Sequence, residues 1–406
     1  MGVRHWLSGL WKSAYSAVDT RIEYVRRTQP HIYSPTSDLS KGTRLALIAR
    51  VQDGIRNQPT LHGLVERFVT EVIGTGLRPD LVVDHELVEL PEKETREKER
   101  EIEKKFKFFL RSKIDVSETM TGYEMQRVRY RSRRSAGDVL VNTPIINGEL
   151  RIELIESEQV TTPNHMDDTT QVIDGVQVDR FRKPTHFFIQ KSHPGNEDNI
   201  FEWKRIRAVD TRGRTRVWLD KETRRPNQVR GVPTLATVLD CLHKMDEFSR
   251  SELDAALNCS DPSIFIKSPY HPSAKNTEKA PIDLYPGAII DLGPGEDITT
   301  PTPGRPNPEY APYMRQKMME VCIAAKMPLE IFLMLFSASF SASRAGFLMW
   351  KKIVNEERDL ACKSDDQIFS VWLDNEVEKG DIEIPNYERT AKYWKTLTWN
   401  GPALGS

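Results

Sequence analysis

Arginine is concentrated in one short segment of the chain, where five arginines fall within eight positions. They are Arg127, Arg129, Arg131, Arg133 and Arg134, and two tyrosines, Tyr123 and Tyr130, lie close by in the sequence. Clustered guanidinium groups can neutralise the phosphates of a nucleic acid backbone. They can equally form salt bridges with a neighbouring subunit, which is the interpretation we favour by a small margin. The segment is therefore predicted to make phosphate or inter-subunit contacts.

Two pairs of adjacent carboxylates are the candidate metal ligands if the chain is a nuclease. Asp167–Asp168 and Asp365–Asp366 could in principle bind Mg²⁺ for a nuclease. The second pair follows Ser364, which is predicted to be the N-cap of a helix, and acidic residues stabilise a first helical turn without any metal. We therefore predict no metal site.

Motifs that would indicate an enzyme are missing from the sequence. It contains no Gly-x-x-x-x-Gly-Lys-Ser/Thr loop, no Gly-x-Ser-x-Gly elbow and no His-Glu-x-x-His helix. His186 and His193 flank a predicted strand without the spacing of metal ligands. We predict that the chain has no catalytic residues and no cofactor, and that any ATP hydrolysis comes from a partner.

Composition limits the class of protein further. At 406 residues the chain exceeds one compact core, so two or more subdomains are expected. Its 58 basic and 59 acidic residues give a net charge of −1, whereas a protein that gripped DNA by neutralising phosphates would be more basic. The cysteines Cys241, Cys259, Cys322 and Cys362 are far apart, which is typical of buried thiols in a reduced cytosol.

A membrane location is not favoured by the sequence. The mean hydropathy is −0.53 and no apolar run reaches the length of a membrane span. Near the N-terminus, apolar residues from Trp6 to Val18 recur at helical spacing and could lie on a bilayer. Packing on a neighbouring protein surface is the interpretation we favour, so we predict no membrane partner.

Helical and strand patterns follow one another in blocks along the chain. Helices are predicted over residues 59–73, ended by Gly74 and Gly76, and over the charge-rich residues 92–113. Strands are predicted up to about residue 220, with hairpin turns at Asn147–Gly148 and Asp174–Gly175. Helices are then predicted over residues 234–257 and from Pro308 or Pro312 to residue 327. This order of blocks predicts an α+β protein.

Two segments of unusual composition accompany the last helices. Residues 262–312 hold 11 of the 25 prolines, and we favour a small extended module, with strands at 264–266 and 288–292, over a disordered linker. Small residues at 337–343 interrupt an apolar run just before a helix through Trp350, although Ser341 could simply be an N-cap. A separate last helix is predicted to begin at Ser364 and to end at Gly380.

Five blocks of the sequence, in order, resemble the portal proteins of lambda-like tailed phages. They are RVQDGIRNQPTLHGLVERFVTEVIGTGLRP (residues 50–79), VIDGVQVDRFRKPTHFFIQKSHPG (172–195), RRPNQVRGVPTLATVLDCLHKMDEFSRSELDAAL (224–257), LYPGAIIDLGPGEDI (284–298) and FSASFSASRAGFLMW (336–350). No single block is decisive, but together they cover most of the chain.

The resemblance implies a division of the chain into portal domains. These are an N-terminal amphipathic arm (1–42), a wing of helices and then strands (43–233), stem helix 1 (234–261), a clip (262–306), stem helix 2 (307–328), a tunnel loop with the following helix (329–362) and a C-terminal wing portion (363–406). Family members continue into more wing and a crown, so the chain is expected to lack its C-terminal part.

The resemblance also implies roles for particular residues. The tunnel loop that lines the DNA channel would contain Ser337, Ser339, Ser341, Ser343 and Arg344. The clip would face the packaging motor with Tyr270, His271, Lys275, Lys279, Asp283 and Tyr285. Small uncharged side chains in the loop would let DNA pass without a specific grip.

The function implied is that of a ring in the virion, made in the host cytoplasm and placed at the portal vertex of the capsid. The family forms rings of twelve subunits through which double-stranded DNA passes without sequence specificity during packaging and ejection. Its partners would be the large terminase subunit, a capsid or scaffold protein and the head–tail connector. The alternatives are another ring-forming head-to-tail adaptor and, more remotely, a metal-dependent nuclease.

Overall fold

The computed structural model describes residues 33–164, 166–196, 202–260, 265–267, 297–299, 307–335 and 340–403. The N-terminal stripe from Trp6 to Val18, the six clip residues named above, Ser337 and Ser339 lie outside these ranges.

Helices and strands alternate in blocks, as the sequence predicts for an α+β protein. The helices are α1 (Pro35–Asp38), α2 (Lys41–Asn57), α3 (Pro59–Phe68), α4 (Glu92–Arg111), α5 (Gly122–Ala136), α6 (Leu239–Ser260), α7 (Tyr310–Ala324), α8 (Leu329–Leu333), α9 (Phe340–Lys379) and α10 (Tyr387–Trp394). The strands are β1 (Arg78–Leu81), β2 (Asp138–Asn142), β3 (Ile145–Ile146), β4 (Glu149–Leu150), β5 (Glu153–Glu156), β6 (Val172–Ile173), β7 (Val176–Val178), β8 (Pro184–Gln190), β9 (Trp203–Arg207), β10 (Val217–Lys221), β11 (Phe265–Lys267), β12 (Asp297–Thr299) and β13 (Leu397–Asn400).

Local sequence signals account for α3 and its ending. Pro59 occupies the first turn, where its missing N–H costs nothing, and the apolar face of the helix is buried. The helix continues as a π-helical turn over Val69–Ile73 and ends at Gly74, whose φ of +57° is readily adopted only by glycine. The predicted helix and its stop are confirmed.

Both predicted hairpins are present. Asn147 and Gly148, with φ values of +54° and +82°, join β3 to β4, and Asp174 and Gly175, with +43° and +82°, join β6 to β7. Positive φ at both central residues is what a tight hairpin turn requires. The second hairpin belongs to a four-stranded sheet in the order β6-β7-β8-β9, and a three-stranded sheet has the order β10-β2-β5.

Three hydrophobic cores hold the elements together. The first lies among α2, α3, α5, α6, α7 and the N-terminal half of α9, and the second packs α4 against the C-terminal half of α9 and α10. The third fills the space between the three- and four-stranded sheets. Because α9 contributes to two cores, it fixes the helical parts of the molecule relative to each other.

The helix α9 corrects one prediction. It runs without a break for 40 residues, so the predicted N-cap at Ser364 and the domain boundary after residue 362 are wrong as element boundaries. Ser364 is buried in the middle of the helix, where its hydroxyl accepts a 2.7 Å hydrogen bond from Trp218 Nε1. A serine followed by acidic residues has the same local sequence in a helix interior as at a cap, so the sequence could not distinguish the two.

Smaller differences affect the other elements. The helix predicted from residue 234 begins as a 3₁₀ turn over Thr234–Val238 and becomes α-helical at Leu239. In the Pro-rich module, Asp297–Thr299 pairs with Phe265–Lys267, while the strand predicted at residues 288–292 lies outside the described residues. β1 pairs antiparallel with β13, with Arg78 opposite Asn400, a contact that the sequence did not indicate.

Candidate channel and docking surfaces

The helices α6 and α7 form an antiparallel pair joined by aromatic and polar contacts. The Phe248 ring lies 4.3 Å from that of Tyr313 and 5.8 Å from that of Tyr310, between ring centroids. Glu252 accepts a hydrogen bond from Asn307 at the start of α7, while Cys241 lies beside Lys317 and Glu320. Residues of increasing number along α6 therefore contact residues of decreasing number along α7, so the two helices run antiparallel. This is the arrangement expected for the two stem helices.

The pair leaves large apolar side chains exposed to solvent. Ile323 on α7 is 76% exposed, and Leu253 and Leu257 on α6 are each 59% exposed. Such residues on helices that carry charge elsewhere are typical of a surface that another molecule covers. The single chain thus leaves part of the stem unpacked.

Exposed apolar residues also flank both sides of residues 336–339. Met334 and Leu335 end the short helix α8, and Met334 adopts the left-handed conformation with φ of +53°. Leu348 and Met349 lie on α9, and the exposed Arg344 is one turn earlier. Of the predicted channel residues, Ser341 and Ser343 lie in the first turn of α9 and Arg344 follows them. The sequence contained a signal for the flanking residues, since they belong to the apolar run that the small residues interrupt.

The described side chains of α9 before Trp350, residues 344–349, are not buried. Trp350 is the first buried side chain among those described along the helix, and its ring lies 5.3 Å from that of Phe68 in an edge-to-face arrangement. Val354 follows one turn later and is fully buried. The position of the predicted tunnel loop is therefore set by how firmly the rest of α9 is held.

An ion-pair cluster holds α9 against α5. Arg129 donates hydrogen bonds from Nη1 and Nη2 to the two carboxylate oxygens of Asp365, at 2.9 and 2.7 Å. Its Nε lies 2.8 Å from Asp220 Oδ2 on β10. Burial alone would favour the neutral guanidinium, but the charges of Asp365 and Asp220 outweigh it and raise the pKa of Arg129. A bidentate pair of this kind is both strong and specific in geometry.

Glu357 on α9 completes the cluster. It accepts hydrogen bonds of 3.1 Å from both Arg134 Nη1 and the Tyr130 hydroxyl, and Arg133 Nη2 lies 3.7 Å away. Arg133 also donates to Asp220 at 3.3 Å, and the Arg134 guanidinium lies 3.9 Å from the centre of the Phe68 ring. Three guanidinium groups therefore face three carboxylates in a largely buried network.

This network corrects the prediction for the arginine segment. Arg129, Arg133 and Arg134 are buried and paired within the chain, so the predicted phosphate or inter-subunit contacts are wrong for them in this structure. Arg131 is partly exposed and forms a bidentate pair with Glu66. Arg127 alone of the five is exposed. The sequence missed the network because Asp220, Glu357 and Asp365 come from remote segments.

A second buried network fixes the loop before α6. Arg230 binds both carboxylate oxygens of Asp138 at 2.8 Å and the carbonyl oxygens of Val160 and Asp174. Burial alone would raise the pKa of Asp138, but the charge and hydrogen bonds of Arg230 outweigh it and lower that pKa to about 2. The next residue, Gly231, packs on Gly137, and a Cβ added at Gly231 would lie 2.0 Å from the Gly137 carbonyl oxygen.

The carboxylate pairs considered for metal binding have structural partners. Asp168 accepts hydrogen bonds from the Thr162 hydroxyl and the Asp174 backbone N–H, and Asp366 accepts one from Trp399 Nε1 at 2.7 Å. Burial raises the pKa of Asp366. Within the described ranges, no group of three or more His, Cys, Asp or Glu side chains is arranged to hold a metal ion.

None of the helices in the described segments is long and apolar enough to cross a membrane.

Comparisons with known proteins agree with this arrangement. Among solved structures, the fold resembles one titled "Virion of native gene transfer agent (GTA) particle", at 12% identity and a TM-score of 0.52, covering 83% of this chain and 86% of that one. It also resembles one titled "Neck of native GTA particle computed with C12 symmetry", at 11% identity and a TM-score of 0.51, covering 82% and 80%. No curated protein matches the sequence. The family model described as "Phage portal protein, lambda family" matches residues 24–358, and the chain therefore belongs to the lambda family of phage portal proteins.

Proposed function

We propose that this portal protein assembles as a closed ring of twelve subunits and that double-stranded DNA passes through it during packaging and ejection. A portal protein forms the channel at one vertex of the capsid, and family membership gives the chain that role in the virion. Support for the copy number comes from the family resemblance and from the C12 symmetry named for a similar particle neck.

The observation that carries this proposal is the incomplete packing around the start of α9. Exposed apolar residues lie on α6 and α7, directly after α8 and in the first described turns of α9, while the rest of α9 is held by a buried ion-pair network. A neighbouring subunit related by a rotation would cover such surfaces and would repeat the serine segment around an axis. Ser337, Ser339, Ser341 and Ser343 would then line the channel, with Arg344 beside them.

The chain would act without catalysis of its own. The portal family is a structural one, and in this chain the carboxylate pairs considered for metal binding have hydrogen-bond partners instead. The energy for packaging would come from the large terminase subunit, which we propose docks on the clip. Removing residues 268–296 while keeping β11 and β12 joined by a short Gly-Ser linker should abolish terminase binding and leave the wing folded. Unchanged terminase binding would place the motor elsewhere.

The channel assignment can be tested through packaging. Ser339→Asp combined with Ser341→Asp would add two negative charges per subunit to a ring around the DNA and repel phosphate from every side. Particles that carry this variant should contain shortened genomes, or lose DNA after packaging, while the ring itself still forms. Arg344→Ala should have a milder effect that depends on ionic strength.

Substitution of the same two serines by asparagine provides the matched control. The combination of Ser339→Asn and Ser341→Asn adds similar bulk without charge and should package a genome close to wild-type length. Wild-type packaging and retention by the double Asp variant would mean that these serines lie in a subunit interface or in the core.

A smaller head-to-tail adaptor is the other ring-forming candidate. The helices α6 and α7 flank a proline-rich segment in the sequence that contains the strand pair β11–β12, and the family match spans both helices. This layout favours the portal over the adaptor.

A further inference from the structure

The outer face of α4 has an unusual combination of exposed side chains. Arg100, Lys104, Phe108 and Arg111 follow one another at helical spacing, so they share one face of the helix. We call these four residues the α4 stripe. Phe108 is 74% exposed at its centre, and the three cations form no ion pair with any described residue.

Four of the other five cations of the same helix, all but Lys93, are paired with carboxylates. Arg96 pairs with Glu92, Lys98 and Lys105 pair with Glu101, and Lys107 pairs with Glu103. Carboxylates are therefore plentiful on α4, yet none neutralises the stripe. Like charges one turn apart destabilise a helix by about as much as opposite charges stabilise it. The stripe leaves positive charge available to a partner.

An apolar groove lies directly beside Phe108. It has a volume of about 670 Å³, and Phe108, Phe109, Ile114, Leu150 and Trp372 provide its apolar lining. Its charged rim is largely self-neutralised, because Lys105 pairs with Glu101 and Arg151 pairs with Glu149. Lys104 belongs both to the groove and to the stripe, so the positive face and the apolar cleft are continuous.

We propose that the α4 stripe and this groove form the docking site for an acidic segment of another protein that carries one large apolar side chain. The apolar side chain would enter the groove between Phe108 and Trp372. Carboxylates on either side of it would meet Arg100, Lys104 and Arg111. Anchors of this kind in a pocket, with charges around them, are the usual source of affinity in short-segment recognition.

Three other occupants fit this surface less well. A DNA duplex would meet the cations with phosphate but offers no side chain to fill the groove. Residues 1–32 of the chain itself carry Arg4, Lys12, Arg21, Arg26 and Arg27 against Asp19 and Glu23, so they are repelled by the stripe. A second copy meeting this face through a twofold axis would place stripe against stripe. The inference does not depend on the proposed channel function.

The test uses the full-length protein and a random peptide display library. The enriched peptides should be acidic and contain one aromatic or large aliphatic residue. Fluorescence polarisation with the most enriched synthetic peptide should show at least about a tenfold loss of affinity for Phe108→Ala, as for other central anchors. Lys104→Gln combined with Arg111→Gln should also weaken binding and flatten its dependence on salt.

Matched controls come from another surface of the chain. Phe181 is 75% exposed in the β7–β8 loop, and Lys204 is exposed on β9. Phe181→Ala and Lys204→Gln should leave the affinity unchanged, and circular dichroism should show all variants folded. The mass of each variant in solution records ring assembly separately from peptide binding.

Several outcomes would overturn it. No enrichment of acidic peptides, or equal losses for Phe108→Ala and Phe181→Ala, would show that the groove holds no such segment. Salt-dependent binding of a short DNA duplex that Lys104→Gln weakens and Phe108→Ala leaves intact would assign the stripe to DNA. Loss of ring assembly on Phe108→Ala would make the surface a contact between copies.

Discussion

At the scale of single residues, the arginines of α5 act as structural cations. Arg129, Arg133 and Arg134 are neutralised by Asp220, Asp365 and Glu357, and burial of such a cluster is favourable only while every member keeps its partner. The network therefore specifies how α9 lies on α5. Through α9 it also sets the place where the predicted tunnel loop begins.

Removing one guanidinium should expose this dependence. Arg129→Ala leaves Asp365 and Asp220 without their main partner in the interior, which should lower the free energy of unfolding by about 3–5 kcal/mol. Arg127→Ala, two residues earlier on the exposed face, should change it by less than about 0.5 kcal/mol. Urea unfolding followed by tryptophan fluorescence measures the free energy of unfolding of both variants. Similar losses for the two variants would show that the cluster does not hold α9.

The lowered pKa of Asp138 gives a prediction about pH. In the folded protein this pKa is about 2, against an ordinary value of 3.8, so the ionised carboxylate stabilises the fold. The stabilisation is complete above the ordinary value and is lost as pH falls through the folded one. The difference in unfolding free energy between wild type and Asp138→Asn should be on the order of 2 kcal/mol at neutral pH and should shrink below about pH 4.

Denaturant unfolding at a series of pH values measures this difference. Asp254→Asn changes an exposed carboxylate on α6 and should show no comparable pH-dependent loss. A constant difference between wild type and Asp138→Asn from neutral pH down to pH 2 would rule out the ion pair with Arg230 as its source.

Sequence patterns were informative about residues only when the signal was local. Gly74 and the Asn147–Gly148 turn were predicted because a backbone with positive φ selects those residue types wherever it occurs. The partners of Arg129 were not predicted, because Asp220 and Asp365 lie 91 and 236 positions away from it in the chain. A cluster of arginines looks the same in sequence whether it faces phosphate, another subunit or the core.

At the scale of elements, the same distinction holds. Periodicity predicted α3, α4 and both stem helices, because the residues of an amphipathic face all come from one segment of the sequence. It could not show that α9 passes through Ser364, since that depends on tertiary contacts with Trp218 and Arg129. Nor could it show the β1–β13 pair, whose two short strands carry no pairing signal of their own.

The stem helices give the prediction at this scale. Ile323→Asp introduces a charge at a position that is 76% exposed in the single chain but would be covered in a ring. The variant should fold with unchanged helix content, because its side chain contributes little to the core. Burying an unpaired charge in each interface costs several kcal/mol, so the assembly should shift to monomers. Native mass spectrometry reports the assembly state and circular dichroism the fold.

Val82→Asp serves as the comparison, since Val82 is 71% exposed in the wing. It should leave the assembly intact. If Ile323→Asp also assembles like wild type, the exposed face of α7 lies outside the subunit contacts.

At the scale of the whole molecule, the chain is a helical and strand-rich wing with a two-helix stem, held together by three cores and two buried ionic networks. Its exposed apolar residues on α6, α7 and α9 and directly after α8 are candidates for surfaces that another subunit covers. In the proposed ring, rotationally related subunits would cover them.

Electron microscopy of the purified full-length protein tests this account most directly. Class averages should show closed rings with a central channel, and twelve subunits are expected by analogy with the C12 symmetry of the similar particle neck. Mass photometry of the same sample should give the matching mass. A strictly monomeric species at micromolar concentration, or open assemblies without a channel, would contradict the account.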